Sequence, residues 1–142
     1  MNRITHAQAK AIIAAAFAKG LELNLKPLSI AVLDPGGHLI AFERADGASL
    51  MRHQIAMGKA AGALALGVSS RKIAEMAIER PTFVGALGSI SPAGVVPAAG
   101  GLIVVDSDDE ILGAVGVTGD TSDNDELCAI SGIQAAGLSI RS

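Results

Sequence analysis

Lys59 is the residue best placed to do chemistry in this sequence. It stands in Ala56-Met57-Gly58-Lys59-Ala60-Ala61-Gly62-Ala63, with no acid within four positions on either side. A helix of such small residues is made to pack closely, and an unpaired charge inside a packed interface is costly. The ammonium must therefore reach water or meet an anion. Arg44 is a second cation, closing an apolar run just before this segment, and Thr118-Gly119-Asp120 follows a glycine-rich run. The latter offers a hydroxyl and backbone N–H groups, and Asp125 adds a carboxylate. Two readings stand side by side. Arg44, Lys59, Thr118, Gly119 and Asp125 line a pocket for a small anionic ligand, or Lys59 pairs with Asp125 or Asp34 to hold the fold.

His53 lies on the same helical run, one turn before Met57. It joins the ligand-binding candidates and, with Lys59 and Asp125, the catalytic ones. On a carboxylate or hydroxy-acid substrate, Lys59 and Arg44 would stabilise an enolate-like charge while Asp125 or His53 acted as base. His6 and His38 read as an exposed capping turn and an exposed strand start. No two histidines have metal-ligand spacing, so no metal site is expected. Glu75 and Glu79 share a helix face with Arg71, Lys72 and Arg80, which marks a solvated surface. Cys128, the single cysteine, reads as a small core residue and fits a reducing compartment.

Three motifs fall away. Gly113, Gly116 and Gly119 have the wrong spacing for a dinucleotide loop and sit inside a strand, so neither nicotinamide nor flavin is expected. Gly58-Lys59 lacks the rest of a phosphate loop. Ser89 and Ser91 lie in no nucleophile elbow.

The elements that must position these residues follow from pattern. Thr5-His6-Ala7-Gln8 is a capping box ahead of Ile12, Ile13, Ala16 and Phe17, which predicts a helix from Thr5 to Leu23. Residues 28–33 and 38–44 form a hairpin around Asp34-Pro35-Gly36-Gly37, where Gly36 or Gly37 takes a positive φ. Ser49 to Leu66 is a helix ended by Gly67. Ser69 or Ser70 caps a short helix to Glu79, stopped by Pro81. Residues 81–101 are read as irregular, with at most one short strand. A second hairpin pairs 102–106 with 111–118, its glycines marking close backbone approach. Asp123 or Asn124 caps a last helix through Leu138. Hairpins separated by helices imply an α+β domain, an antiparallel sheet with helices packed on it, spanning residues 1–142.

Composition narrows the classes. The chain has 142 residues, enough for one domain with a substantial core. Half of it is hydrophobic and 18% charged, which excludes disorder. It has three aromatic residues, Phe17, Phe42 and Phe83, too few for base-stacking platforms. Residues 1–100 carry ten Lys and Arg against six acids, and the remainder one Arg against eight acids. Neither part has a dense basic stripe, so nucleic acid is not an expected partner. No apolar stretch has the length of a membrane span and the start lacks the pattern of a secretory signal, so a cytoplasmic protein is expected. Helices this poor in charge predict a homo-oligomer.

One ordered series carries a resemblance: Val32-x-Asp34-x-Gly36-Gly37-x-Leu39, then Arg44-x-Asp46-Gly47-Ala48, Lys59-Ala60, Gly113-Ala114-Val115-Gly116-Val117-Thr118-Gly119 and Asp125. It resembles the GlcG/HbpS family, related to the C-terminal domain of PduO-type adenosyltransferases, over about Ala7 to Leu138. The resemblance implies a profilin-like domain, a five-stranded antiparallel sheet with helices on its faces, assembled as a homo-oligomer. Several members bind haem, and others sit among genes for degrading small organic acids. Gly100-Gly101-Leu102-Ile103-Val104 lacks the proline usual before the last hairpin. The leading expectation is a small-ligand-binding protein of the haem-binding type, with Arg44 and Lys59 on the ligand's carboxylates and His53 as the histidine for haem iron. The alternatives are a proton-transfer enzyme of organic-acid catabolism and an accessory structural subunit without a ligand.

Overall fold

A computed structural model describes residues 2–141. In chain order the elements are α1 (His6–Glu22), β1 (Ser29–Leu33), β2 (Leu39–Arg44), α2 (Arg52–Leu66), α3 (Ser70–Glu79), α4 (Pro81–Ile90), β3 (Gly101–Val105), β4 (Ile111–Thr118), α5 (Ser122–Ala135) and β5 (Ser139–Ile140). The strands form one five-stranded sheet in the order β2-β1-β4-β3-β5, and every neighbouring pair is antiparallel. The α+β expectation holds.

The local signals explain most boundaries. The Thr5 side chain accepts from the Gln8 amide while the Gln8 side chain accepts from the Thr5 amide, a complete capping box for α1. In the first hairpin Asp34 Oδ1 accepts from the Gly36 and His38 amides, and Gly37 takes φ 84°. Gly67 ends α2 in the left-handed region and the Ser69 side chain caps α3. Three assignments change. Pro81 does not only stop α3. It occupies the first turn of α4, where its missing N–H is no loss, so residues 81–90 are helical rather than irregular. The hydroxyl of Thr121, not Asp123 or Asn124, caps α5 by accepting from the Asn124 amide. After α5 the chain returns as β5 on β3, a two-residue strand with too little sequence to show a period.

Strand alternation divides the core. Ile30, Val32, Leu102, Val104, Val115 and Val117 face α1 and α5, joining Ile12, Ile13, Cys128, Ala129 and Ile133. Leu33, Ala114, Ile103 and Val105 face α2, against Ala60, Ala61 and Ala63. On this second face the helix lies on bare backbone. A Cβ at Gly116 would collide with the Ala56 carbonyl oxygen, and one at Gly101 with that of Lys59. The glycines of β3 and β4 thus set how deep α2 sits, and so where Lys59 lies.

Candidate functional site

The Lys59 side chain runs past the start of β3 toward the end of β4. It is 2% exposed. Its Nζ donates to the Val117 carbonyl at 2.9 Å and to Asp125 Oδ2 at 3.2 Å. The other Asp125 oxygen accepts from the Asp120 amide at 2.9 Å, so both carboxylate oxygens are engaged. Burial acts on both partners in the costly direction: it lowers the Lys59 pKa and raises that of Asp125, each opposed by the other's charge. Of the two sequence readings for Lys59, the ion pair with Asp125 is the arrangement present. An external anion reaching this ammonium would have to displace Asp125.

Asp120 fixes the loop beside the pair. It accepts from the Lys26 amide and from the Asn124 side chain, and these bonds hold its carboxyl at about 2. Gly119, with φ 145°, rests on the Pro27 carbonyl, where no side chain fits. Thr118 is buried, and its hydroxyl accepts from the Arg52 guanidinium at 2.9 Å. Thr118, Gly119, Asp120, Asp125 and Lys59 therefore do converge on one end of the sheet.

Arg44 and His53 lie at the neighbouring edge. Arg44 ends β2, exposed, with no hydrogen-bond or ion-pair partner among the described residues. It also lines a cleft of about 400 Å³ between α1 and the end of β2, with Phe17, Leu25, Lys26 and Leu28; Lys59 is not among that cleft's lining residues. His53, exposed in the first turn of α2, has Nδ1 3.0 Å from the Leu50 carbonyl and its ring edge-on to Phe42, with centroids 6.3 Å apart. A carbonyl can only accept, so Nδ1 carries a proton, and in the neutral ring Nε2 keeps its lone pair. Phe42 and Arg44, two apart on β2, share a face, so His53 and Arg44 belong to the same corner. Leu50 and Met51 extend this corner as exposed apolar side chains, 80% and 63% accessible.

Arg52 was missing from the sequence reading. It is seven residues before Lys59 and so shares its helix stripe. That spacing was the available signal. It bonds Ser49 as well as Thr118, and its charge bears on Lys59. His38, exposed, has Nδ1 3.2 Å from Asp34. Glu75 and Glu79 line a shallow surface groove beside Lys72.

The family model described as "Haem degrading protein HbpS-like" matches residues 4–134. An uncharacterised 15.0 kDa protein of Citrobacter freundii, from the dhaT-dhaS intergenic region, is 33% identical over 126 residues, which are 89% of this chain and 87% of that one. Among solved structures, the PduOC–heme complex aligns with a TM-score of 0.86 at 20% identity, covering 99% of both chains. Klebsiella pneumoniae protein ORFY aligns at 0.85 and 28%, covering 96% of this chain and 92% of that one. The HbpS crystal structure aligns at 0.80 and 26%, covering 94% and 90%.

Proposed function

We propose, on the premise that this chain belongs to the HbpS-like family, that it is a small-ligand-binding protein whose ligand is an apolar acid of the haem class. The observation that carries this reading is the corner between the end of β2 and the start of α2. His53 is held through Nδ1, Phe42 meets its ring edge-on, and Arg44 has no hydrogen-bond or ion-pair partner among the described residues. These residues fit a haem: an imidazole with an open Nε2 for iron, apolar Leu50 and Met51 for the macrocycle, and a guanidinium for a propionate. When bound, the group would supply a redox-active iron.

Lys59 enters this reading through Asp125. Their pair braces the sheet end that carries Thr118, and Thr118 in turn receives Arg52. Arg44 is the cation that meets the ligand, while Lys59 holds the ground on which the corner stands.

The proposed assembly is a homo-oligomer. No helix among the described residues is long and apolar enough to cross a membrane. Yet Ile78, Phe83 and Ile90 of α3 and α4 are 82%, 42% and 79% exposed, and α4 has no charged residue. Such an apolar surface is the kind that subunit contact covers.

Absorbance during haem titration tests the reading. A saturable Soret band is expected for the wild-type protein, with its position shifted in His53→Ala. A spectrum identical to free haem at every ratio would overturn it.

A further inference from the structure

One row of side chains crosses the sheet at this corner. Register places Arg44 of β2 opposite Ser29 of β1, and Ser29 opposite Thr118 of β4. All three share the α2 side. Ile30 and Val117, their neighbours along the strands, face α1 and α5, whereas Leu33 of the same β1 alternation faces α2. Arg52 comes down from α2 onto this row at Thr118.

Ser29 is the anomaly. It is 0% exposed, and its Oγ has no hydrogen-bond partner among the described residues. Buried hydroxyls are almost always satisfied, so an orphan here calls for a partner from outside the chain. Its surroundings indicate the charge of that partner. Among the described residues Arg44 is unpaired, and the Arg52 side chain has only the hydroxyls of Ser49 and Thr118. Asp125 has both oxygens turned to Lys59 and the Asp120 amide, and Glu43 and Asp46, which line the cleft beside Arg44, make no ion pair with it among the described residues. The start of α2 also has no side-chain cap and no acid in its first turn. Two guanidiniums, two hydroxyls and an uncapped helix start thus belong to one row, and neither cation has an ion pair among the described residues.

We infer that Arg44, Ser29, Thr118 and Arg52 form a seat for a carboxylate group of the ligand. This rests on the reading of the ligand as an acid and adds where its charged end is held and by which second cation. A carboxylate accepts from planar guanidiniums in a fork and from a rotatable hydroxyl together. Ser29 supplies the hydroxyl that today has nothing to donate to, and Arg52 replaces Lys59 as the partner of Arg44.

The test is an amide chemical-shift titration of the isotope-labelled full chain with sodium acetate as the probe. Saturable shifts at Ser29, Arg44, Arg52 and Thr118 are expected. Affinity should fall about tenfold in Arg52→Gln, several-fold in Ser29→Ala, and less in Arg52→Lys than in Arg52→Gln. The spectra themselves show whether each variant is folded, and Ser29→Ala removes only one oxygen should Arg52→Gln fail. Shifts absent from this row, or an acetate affinity unchanged in Ser29→Ala and both Arg52 variants, would overturn the inference and leave Ser29 as the host of an ordered water. Haem titration of the same variants separates the two claims. Haem bound equally by wild type and Arg52→Gln leaves the haem reading and removes the seat. Acetate bound as expected by a protein that ignores haem keeps the seat and removes haem.

Discussion

Lys59 Nζ and Asp125 Oδ2 meet at 3.2 Å between two elements on opposite faces of the sheet, α2 and α5, with both side chains almost fully buried. The contact passes the strand ends where Gly100 leaves room: a Cβ there would stand 3.0 Å from the ammonium and against the Val117 carbonyl. A buried pair of this kind adds little net stability over apolar residues, but removing one partner strands a charge.

Lys59→Met should therefore destabilise the protein by about 3–5 kcal/mol in denaturant unfolding. Adding Asp125→Asn should recover most of that loss. The pH dependence has a defined sign. Asp125 without its cation has a folded-state pKa raised by burial above the ordinary 3.8. The single variant is then most stable below that value and loses stability as pH rises through the raised pKa. A loss that the second substitution leaves in place would show that Lys59 acts through packing instead.

Asp120 gives the opposite sign. Its folded pKa of about 2 lies below the ordinary 3.8, so its contribution is present above 3.8 and is lost as pH falls toward 2. Between pH 4 and 2 the Lys26 amide should lose hydrogen-exchange protection, because its acceptor is Asp120 Oδ1. Asp120→Asn should flatten that change. Protection of Lys26 that is independent of pH in the native protein would contradict the assignment.

Gly116→Ala should cost on the order of 1–3 kcal/mol or more, because the new methyl has nowhere to go but into the Ala56 carbonyl of α2. Gly85→Ala, on the surface of α4 with open space around it, should be neutral or slightly stabilising. Equal melting temperatures for the two variants would remove the close approach of α2 as the reason for the glycine.

Cys128 is buried, and its thiol is pushed up to about 11 by desolvation and by the nearby Asp125 and Asp120. At pH 8 it should react with a thiol reagent far more slowly in the native protein than in denaturant. Fast labelling of folded protein would place it elsewhere than the core under α1.

Light scattering should return a mass well above the 14.2 kDa of one chain at micromolar concentration. The exposed apolar side of α4 motivates this. A monomer mass would require Phe83 and Ile90 to remain in water.

Both hairpins were legible because their signals are local: Asp34-Pro35-Gly36-Gly37 and Ser107-Asp108-Asp109-Glu110 each lie between apolar runs, and the structure turns at both. The cap Thr5 was legible for the same reason, and the cap of α3 was narrowed to Ser69 or Ser70, of which Ser69 caps. Helix α4 was not, since Pro81, Gly85 and Gly88 read as breakers, although proline favours a first turn. At the candidate site the sequence could name Lys59 and Asp125 but not decide between pairing and ligand binding. That choice depends on Gly100 and Gly101 opening a path past the strand ends, a tertiary fact. Arg52 was overlooked because a cation near a helix start reads as solvated surface, and only the register of Ser29 with Arg44 and Thr118 shows what lies beneath it.

The most direct measurement is an equilibrium haem titration of wild-type protein and Arg44→Gln, followed by Soret absorbance. The account predicts saturable binding by wild type and an affinity about tenfold weaker, roughly 1.4 kcal/mol, when the free guanidinium is removed. Non-saturable binding by wild type, or equal affinity in the two proteins, would contradict it.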